Sequence, residues 1–581
     1  DSPPPRSITL RFFPGPEPAD VVRRMSGVLG RQPAPSPVFF GPWLQTNESD
    51  ADTVDILREQ DVPTSVYQTY LHYLPCAGQT GQEQGQIDRT ALIHQAGMAI
   101  TTYFNPMICR SLPDFTDLVA DGAITMNREG AAYPYRYLGY QVGQFDFTSE
   151  IGRSAYGDRL NEAVSHGYDG WMEDFGEYAP PDAVYADGSH GMVEHNPYVR
   201  QYHCAAWEKT KSHPRPLLRF VRSGFTGSAA CSPVVWGGDP STTWDFDGLL
   251  SSVRNGISMG LSGVGIWGSD IGGFFAITAD QLSPELSARW VQFGAFSGVM
   301  RNEADGYSYA DTYRPQVIDS EQIGNWRRYS KIRTQLYPYI SSAAWEYRRS
   351  GMPMMRAMLL DFPKDPKSAG LDNQYMFGPD LLVAPVVEPG QSSRRLYLPE
   401  GRWIDFWRTF SYDESSGAID SGPAKLLNGG GWRTVPAPAE EIPLAIRAGA
   451  MITALPPDVE TLSDFGQEDQ SIVHLDDRRQ RTLFAFPRGS SSDRFEKNGL
   501  ISSVEGKGVW KLKITDTEAR PWRIKAATGA MKQPFTVKCV SLNGKKLAPG
   551  AWQTGPGQVE VNLPATARRL NLAFSRNRCG G

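Results

Sequence analysis

The sequence has few cysteines and no closely spaced pair of them. Six cysteines occur in 581 residues and none forms a Cys-x-x-Cys motif, which argues against a structural zinc site or a thioredoxin-like redox site. One or two disulfides are compatible with this number, but the spacing does not assign partners, so the redox compartment stays open. The cysteines are Cys76, Cys109, Cys204, Cys231, Cys539 and Cys579.

Long apolar runs and clusters of positive charge are also missing. No apolar stretch reaches the roughly 18 residues that cross a bilayer. The formal net charge is -6 with no basic run, so we expect neither a membrane nor a nucleic-acid partner. The eight histidines show no metal-ligand spacing, and we expect no cofactor. The segment Asp1–Arg6 has no signal-peptide core. Localisation is therefore unknown: we lean toward a secreted or processed protein, and a cytoplasmic one is also consistent.

The sequence does contain short apolar runs that alternate with helical patterns. After helical spacing from Glu17 to Leu29 and a proline-rich connector, eight strand-like runs alternate with helices over roughly 250 residues, which predicts a (β/α)8 TIM barrel. An open doubly wound sheet is the alternative, but no Gly-x-Gly-x-x-Gly opens a helix after a strand. The runs are Val38–Trp43, Ser65–Tyr70, Met98–Phe104, Gly170–Phe175, Leu217–Arg222, Pro233–Trp236, Val264–Trp267 and Phe293–Met300.

The pattern changes after a helix predicted over Glu321–Arg349. Short alternating runs, such as Leu381–Ala384 and Ser471–Leu475, are separated by Gly, Pro, Asp and Ser, which is typical of all-β domains. We therefore predict an α/β chain in which two C-terminal β-sandwich domains follow the barrel. The predicted units are 1–36, a remnant of an N-terminal β-domain with an edge strand at Ser7–Phe13 and a linker; 37–350, the catalytic barrel; 351–455, a proximal sandwich; and 456–581, a distal sandwich.

The chain is organised around the stretch that runs from Gly167 to Pro180. An apolar approach from Trp171 leads into a group of carboxylates, and Gly176 then breaks the regular structure, as at the end of a buried strand. Asp174 at this strand end is a candidate carboxylate nucleophile. An acidic surface turn is the alternative interpretation.

Polar residues recur at or just after the ends of the other predicted strands. Active sites of TIM barrels lie at the C-terminal ends of their strands, so this regularity favours a catalytic mouth. Besides Asp174, the residues at these ends are Gln68, Arg222, Asp239, Asp270 and Glu303.

Asp239 follows two glycines and lies near Trp236 in Trp236-Gly-Gly-Asp239-Pro240. A tryptophan beside a carboxyl lowers the local dielectric and raises its pKa, which a proton donor requires. A simple turn is the alternative for this motif. Arg222 would bind sugar hydroxyls or hold the nucleophile ionised, with a structural salt bridge as its alternative.

Three further residues have weaker assignments. Asp270, among glycines, is a candidate ligand residue or part of a tight turn. Glu177 is expected to orient the loop after Asp174, whereas Glu173 should point the other way because strand side chains alternate. Trp171 is a candidate sugar platform, with core packing as the alternative.

Five ordered motifs together resemble glycoside hydrolase family 31. They are Trp171-Met-Glu-Asp174-Phe-Gly-Glu177, Arg222-Ser-Gly-Phe-Thr-Gly-Ser228, Trp236-Gly-Gly-Asp239, Gly268-Ser-Asp270-Ile-Gly-Gly-Phe274 and Met300-Arg301-Asn302. The resemblance covers about residues 10–455. It implies a retaining exo-acting α-glycosidase in which Asp174 is the nucleophile, Asp239 the acid/base, and Arg222 and Asp270 bind the terminal sugar. No metal or other cofactor is implied.

Asp-Phe-Gly-Glu-Tyr at the nucleophile, with Gln68 after the second strand, is most similar to the sulfoquinovosidase-like and α-xylosidase-like branch. Three features depart from the family. Leu71–Cys76 stands where a sulfonate-binding Arg and Trp cluster would lie, so we do not expect a sulfonated substrate. Glu303 replaces a sugar-binding histidine. The family's N-terminal β-sandwich is absent, so either the chain was trimmed or that domain is a separate partner chain; a homo-oligomer is a further alternative.

The sequence hypothesis is double displacement through a covalent glycosyl-aspartate on an α-glycoside substrate. The alternatives are an α-transglycosylase that uses the same intermediate and a catalytically silent sugar-binding homologue. Asp174 and Asp239 are the predicted catalytic residues. The predicted substrate-binding residues are Gln68, Trp171, Glu177, Arg222, Trp236, Asp270 and Glu303.

Overall fold

Eight parallel strands form the barrel of this protein in a computed structural model that describes residues 10–276, 282–308, 314–565 and 567–579. The seventh strand is in two pieces: Trp267 pairs with the sixth strand and Asp270 pairs with the eighth, while Pro42 of the first strand pairs with Met300 of the eighth. The sheet therefore closes on itself. The strands are Pro42–Leu44, Val66–His72, Ala99–Phe104, Gly170–Glu173, Leu218–Val221, Val234–Trp236, Trp267–Gly268 with Asp270–Ile271, and Met300–Asn302.

Helices cover the outside of the barrel, and several begin where the sequence supplies a cap. Ser49, Ser149 and Ser283 each accept a hydrogen bond from the backbone N–H three residues later, which satisfies a donor that the helix cannot pair internally. The α-helices of the described residues from the N-terminus to the end of the barrel are Pro18–Leu29, Asp50–Glu59, Glu83–Gln95, Phe115–Ala120, Glu150–Ser165, Gly191–Thr210, Leu249–Leu261, Pro284–Ala295, Ile323–Gln335 and Tyr337–Ser350.

The eighth strand was predicted too early in the chain. Phe293 lies in the helix Pro284–Ala295, and the strand begins only at Met300. The run from Phe293 to Met300 is apolar except for Ser297, because the last turn of the helix and the start of the strand are both buried. A continuous apolar run does not show where helix ends and strand begins. The helix predicted over Glu321–Arg349 is likewise two helices that meet at Leu336, where Pro338 opens the second.

A long excursion separates the third and fourth strands. It contains a three-stranded antiparallel sheet of Met107–Cys109, Tyr135–Tyr137 and Tyr140–Gln144. Because it follows the C-terminal end of a barrel strand, it adds to the side of the barrel where the strand-end side chains collect.

Two sets of sheets follow the barrel, and their strands pair antiparallel except for Arg481–Ala485 with Trp522–Ala526, which are parallel. The first contains Met355–Arg356, Tyr375–Phe377, Leu381–Val383, Leu444–Arg447, Arg402–Asp405 and Leu426–Asn428, with the paired strands Ser393–Leu398 and Gly431–Pro436, and Phe410–Tyr412 and Ile419–Ser421. The second contains a sheet of Met451–Ala454, Arg481–Ala485, Trp522–Ala526, Gln558–Leu563 and Trp552–Gly555 and a sheet of Ser490–Phe495, Gly499–Gly506, Val509–Thr515, Arg569–Ser575, Cys539–Leu542 and Lys545–Lys546. Side chains of these last two sheets, including Trp510, Trp522 and Phe574, form one core.

The segment between the two sets differs from the prediction. Met451–Ala454, placed in the proximal unit, pairs with Arg481–Ala485 of the distal sheet. Ser471–Leu475 is not a strand, because the amide and hydroxyl of Ser471 bond to the carboxylate of Asp469 in a local turn. The predicted edge strand Ser7–Phe13 is absent over residues 10–13, and residues 7–9 lie outside the described residues.

All six cysteines are paired, where the sequence suggested one or two disulfides. The pairs are Cys76–Cys109, Cys204–Cys231 and Cys539–Cys579. Cys204 lies in the helix after the fourth strand and Cys231 lies after the fifth, so this bond ties together the segments that flank Arg222.

Candidate active site

Asp174 follows directly on the fourth strand and has three hydrogen-bond donors around its carboxylate. The Arg222 Nη1 atom lies 2.8 Å from Oδ1, the Tyr103 hydroxyl donates to Oδ2 at 2.6 Å, and the Phe175 amide donates to Oδ1 at 2.9 Å. The chain turns sharply here, with φ values of 57° at Phe175 and 104° at Gly176. Asp174 is 8% exposed, so its carboxylate is largely removed from bulk water.

Arg222 connects Asp174 to the second candidate catalytic carboxylate. Its Nη1 atom also lies 3.5 Å from Asp239 Oδ2, and its Nη2 atom donates to Glu177 Oε1 at 2.6 Å. Since one nitrogen lies 2.8 Å from Asp174 Oδ1 and 3.5 Å from Asp239 Oδ2, these two oxygens are at most about 6.3 Å apart. Carboxyl groups of retaining glycosidases lie about 5–5.5 Å apart, and those of inverting enzymes about 6.5–9.5 Å.

The surroundings of Asp174 and Asp239 favour different protonation states for the two carboxyls. Burial raises the pKa of Asp174 to about 6, although Arg222 opposes the shift, and the nearby Asp239 raises it further. Burial also raises the pKa of Asp239, with Arg222 and Arg301 opposing. Asp174 has three close donors, whereas its partner has one contact at 3.5 Å. When the pair holds one proton, this geometry favours the charge on Asp174 and the proton on Asp239.

A second charged network lies on the eighth strand. Arg301 forms an ion pair with Asp270, lies 3.5 Å from Glu303 Oε2 and donates to Gln68 Oε1 at 3.1 Å. The Tyr70 hydroxyl donates to Glu303 Oε2 at 2.6 Å. Burial raises the pKa of Glu303 to about 7, and Arg301 and the Tyr70 hydroxyl oppose this shift. Five residues from three separate parts of the sequence therefore hold one another in fixed positions.

Trp236 lies beside the second network. Its ring centroid is 5.4 Å from that of Phe220 and 5.9 Å from the guanidinium carbon of Arg301. Its indole Nε1 is buried and has no hydrogen-bond partner among the described residues. Of the predicted binding residues, Gln68, Glu177, Arg222, Asp270 and Glu303 thus lie in these two networks, and Trp236 packs beside Arg301.

Two comparisons with known proteins bear on this arrangement. The glycosyl hydrolases family 31 TIM-barrel domain matches residues 34–343, and the family's C-terminal domain matches residues 351–452. The chain belongs to glycoside hydrolase family 31. The predicted resemblance is confirmed, and the family 31 barrel match contains every predicted site residue.

Relatives within family 31 carry several different names. The sulfoquinovosidase of Escherichia coli is 31% identical over 318 residues, covering 54% of this chain and 47% of that protein. Alpha-xylosidase XylQ of Lactiplantibacillus pentosus is 30% identical over 429 residues, covering 68% and 53%. The cycloalternan-forming enzyme of Listeria monocytogenes, solved with a pentasaccharide substrate, has a TM-score of 0.82 at 22% identity and covers 97% of this chain and 57% of its own, so it shows the fold alone. The chain spans about half the length of the curated relatives.

One residue of the predicted family 31 site does not lie there. Trp171 is fully buried, and its indole nitrogen donates at 3.0 Å to Glu173 Oε1. Glu173 in turn bonds to Arg219 and to the ring of His203, on the helix behind the strand. Because strand side chains alternate, Trp171 and Glu173 share the face opposite Asp174. Glu173 therefore points away from the mouth as predicted, and the assignment of Trp171 to substrate binding was wrong.

Sequence reasoning also missed residues that take part in the site. Tyr103 belongs to it through its bond to Asp174, and Arg301 through its ion pair with Asp270. No alternation of apolar and polar residues along Ala99–Phe104 marks Tyr103, whereas Arg301 lies two positions before the predicted Glu303 and so on the same face of the chain. Among the described residues, no group of three or more His, Cys, Asp or Glu could hold a metal ion, and no helix there is long and apolar enough to cross a bilayer.

Proposed function

We propose that this chain is a retaining, exo-acting α-glycoside hydrolase that works through a covalent glycosyl-aspartate. The observation that carries the proposal is the single guanidinium of Arg222, which contacts both Asp174 and Asp239. Asp174 Oδ1 and Asp239 Oδ2, the two oxygens that it contacts, therefore lie within about 6.3 Å of each other. This upper limit lies below the roughly 6.5–9.5 Å between the carboxyls of inverting enzymes, which leave room for a water between them.

In the first step Asp174 attacks the anomeric carbon, and Asp239 transfers its proton to the glycosidic oxygen as the C–O bond breaks. The leaving group departs as an alcohol and the sugar remains as an ester of Asp174. In the second step Asp239, now ionised, removes a proton from water, which attacks the anomeric carbon and displaces Asp174. Two inversions restore the α configuration.

The remaining side chains position these groups and the sugar. Arg222 keeps Asp174 ionised, with Glu177 fixing the guanidinium from its other edge. Gln68, Asp270 and Glu303 converge on Arg301 and form the polar floor of the sugar site. Trp236, three residues before Asp239, supplies an apolar wall. Its indole N–H, which has no partner among the described residues, supplies a hydrogen-bond donor for the sugar.

We propose an uncharged glycone. The sulfoquinovosidase and α-xylosidase relatives differ in whether their named sugar carries a sulfonate, so the proposal rests on this chain's own residues. The mouth holds five carboxylates, Asp174, Glu177, Asp239, Asp270 and Glu303, and both of its central guanidiniums already contact them. A sulfonate would therefore find no free cation among these groups.

A transglycosylase is the second candidate, favoured by exposed aromatic residues around the mouth. Five aromatic side chains on the segments that follow barrel strands are each at least 43% exposed, as a platform for an acceptor sugar requires. They are Tyr140, Tyr178, Phe225, Phe246 and Tyr307.

The test uses aryl α-glycosides of glucose, xylose, galactose and sulfoquinovose, with NMR identification of the first anomer released. Retention is expected, and first release of the β-anomer would contradict the mechanism. With azide added, Asp239→Ala should give the α-glycosyl azide and Asp174→Gly the β-glycosyl azide, because azide replaces water in the first case and the nucleophile in the second. Transfer products at high acceptor concentration would indicate the transglycosylase, and sugar binding without turnover the silent homologue.

A further inference from the structure

His72 ends the second barrel strand at a register shift. Gln68 pairs with Thr101 of the third strand, but His72 pairs with Tyr103, so three residues of the second strand stand opposite one residue, Thr102. The shift places both Tyr70 and His72 beside Tyr103: the ring of His72 stacks on it at 3.8 Å and 12°, and the Tyr70 ring lies edge-on at 6.0 Å.

The contacts across the mouth follow the order of the strands. Asp239, after the sixth strand, contacts Arg222 after the fifth, which contacts Asp174 after the fourth, which bonds to Tyr103 on the third. His72 on the second strand is the next member of this series. It therefore lies on the side of Asp174 away from the proton donor, where the glycone must sit, and the leaving group occupies the Asp239 side.

The imidazole of His72 is polar but makes no hydrogen bond to any described residue. The imidazole contacts the aromatic rings of Tyr103 and Tyr70. Burial lowers its pKa to about 4, with no charged group contributing, so the ring is neutral near pH 7. A neutral imidazole carries one N–H donor and one ring-nitrogen acceptor, which together match a hydroxyl group.

Taking the proposed glycosidase function as the basis, we propose that His72 is a specificity-determining residue that hydrogen-bonds a hydroxyl of the glycone. The stack against Tyr103 fixes the plane of the imidazole, and so the direction of its two nitrogens. Because Tyr103 also holds Asp174, the hydroxyl bound by His72 is positioned in relation to the nucleophile. A sugar that lacks this hydroxyl would leave the imidazole unpartnered.

The test pairs His72→Phe, which keeps a ring for the stack and removes both nitrogens, with His72→Gln, which keeps a donor and an acceptor. kcat/KM is measured on the preferred aryl α-glycoside and on its monodeoxy analogues. His72→Phe should lower kcat/KM on the parent by roughly 3- to 10-fold, as for loss of one neutral hydrogen bond. It should cause no loss on one analogue, the one that lacks the contacted hydroxyl. His72→Gln should recover part of the loss on the parent.

Equal ratios of variant to wild-type activity on the parent and on every analogue would overturn the role of His72 and leave the proposed hydrolase intact. The opposite case, in which His72 binds the sugar but the chain is not a hydrolase, is tested by calorimetry. Binding of the same sugars is measured to Asp174→Asn with and without His72→Phe. A His72-dependent preference among the sugars in binding, together with no turnover by the wild type, would support His72 and reject the hydrolase.

Discussion

The hydrogen bond from Tyr103 to Asp174 gives a prediction whose size follows from the geometry. Tyr103→Phe removes an O–H donor that lies 2.6 Å from the nucleophile and leaves the ring in place. Hydrogen bonds to charged groups contribute about 1.5–3 kcal/mol, and one pKa unit corresponds to about 1.4 kcal/mol. Loss of the bond should therefore raise the pKa of Asp174 by about one to two units from its value of about 6.

The assay is the pH dependence of kcat/KM, which reports ionisation in the free enzyme. Asp174 must be ionised to attack, so the acid limb of the profile should move from about pH 6 to about pH 7–8 in the variant. Tyr70→Phe is the matched control, because its hydroxyl makes a bond of the same 2.6 Å length to Glu303 instead. An acid limb that stays in place in Tyr103→Phe, or that moves equally in both variants, would refute the reasoning.

Three further predictions concern stability. Glu303 is buried and holds its proton more tightly in the folded state. The stability that it adds is therefore complete below about pH 4.5 and is lost as the pH rises through about 7. In denaturant titrations, Glu303→Gln should reduce the difference in unfolding free energy between pH 5 and pH 8 by up to about 3 kcal/mol. Trp171→Phe removes a buried donor to Glu173 and should cost about 1–3 kcal/mol of unfolding free energy, with KM unchanged; a raised KM would return Trp171 to the sugar site. Replacing both Cys204 and Cys231 by Ser removes a link across 27 positions and should cost about 2–4 kcal/mol relative to the oxidised wild type; equal denaturation midpoints would show that the bond adds no stability.

The barrel was predictable because its signals are local. Each inward-facing strand is a short apolar run followed by a break, and the helical spacing from Glu17 to Leu29 corresponds to the observed helix Pro18–Leu29. The eighth strand was misplaced because the second half of the helix before it, from Arg289 to Ala295, is fully buried, so the apolar run gave no boundary. Ser471–Leu475 failed because a side-chain turn at Asp469 competes with strand pairing.

The residues of the candidate site also differ in whether a local sequence signal marks them. Asp174, Asp239 and Arg222 could be located from the sequence because each follows a strand end, where a TIM barrel collects its functional groups. Their separation could not, since it depends on how Arg222 reaches across two neighbouring strands. Tyr103 was missed because its strand reads as apolar core. His72 was beyond sequence reasoning, since only the register shift brings it beside Tyr103.

The central claim is that Asp174 forms a covalent bond to the sugar. The most direct test is mass spectrometry of the protein after reaction with a fluorinated glycosyl fluoride, followed by proteolysis and peptide sequencing. One glycosyl group per chain, attached to Asp174, is the expected result. A label on another carboxylate such as Glu177, or an unmodified protein that still releases product from aryl α-glycosides, would contradict the account.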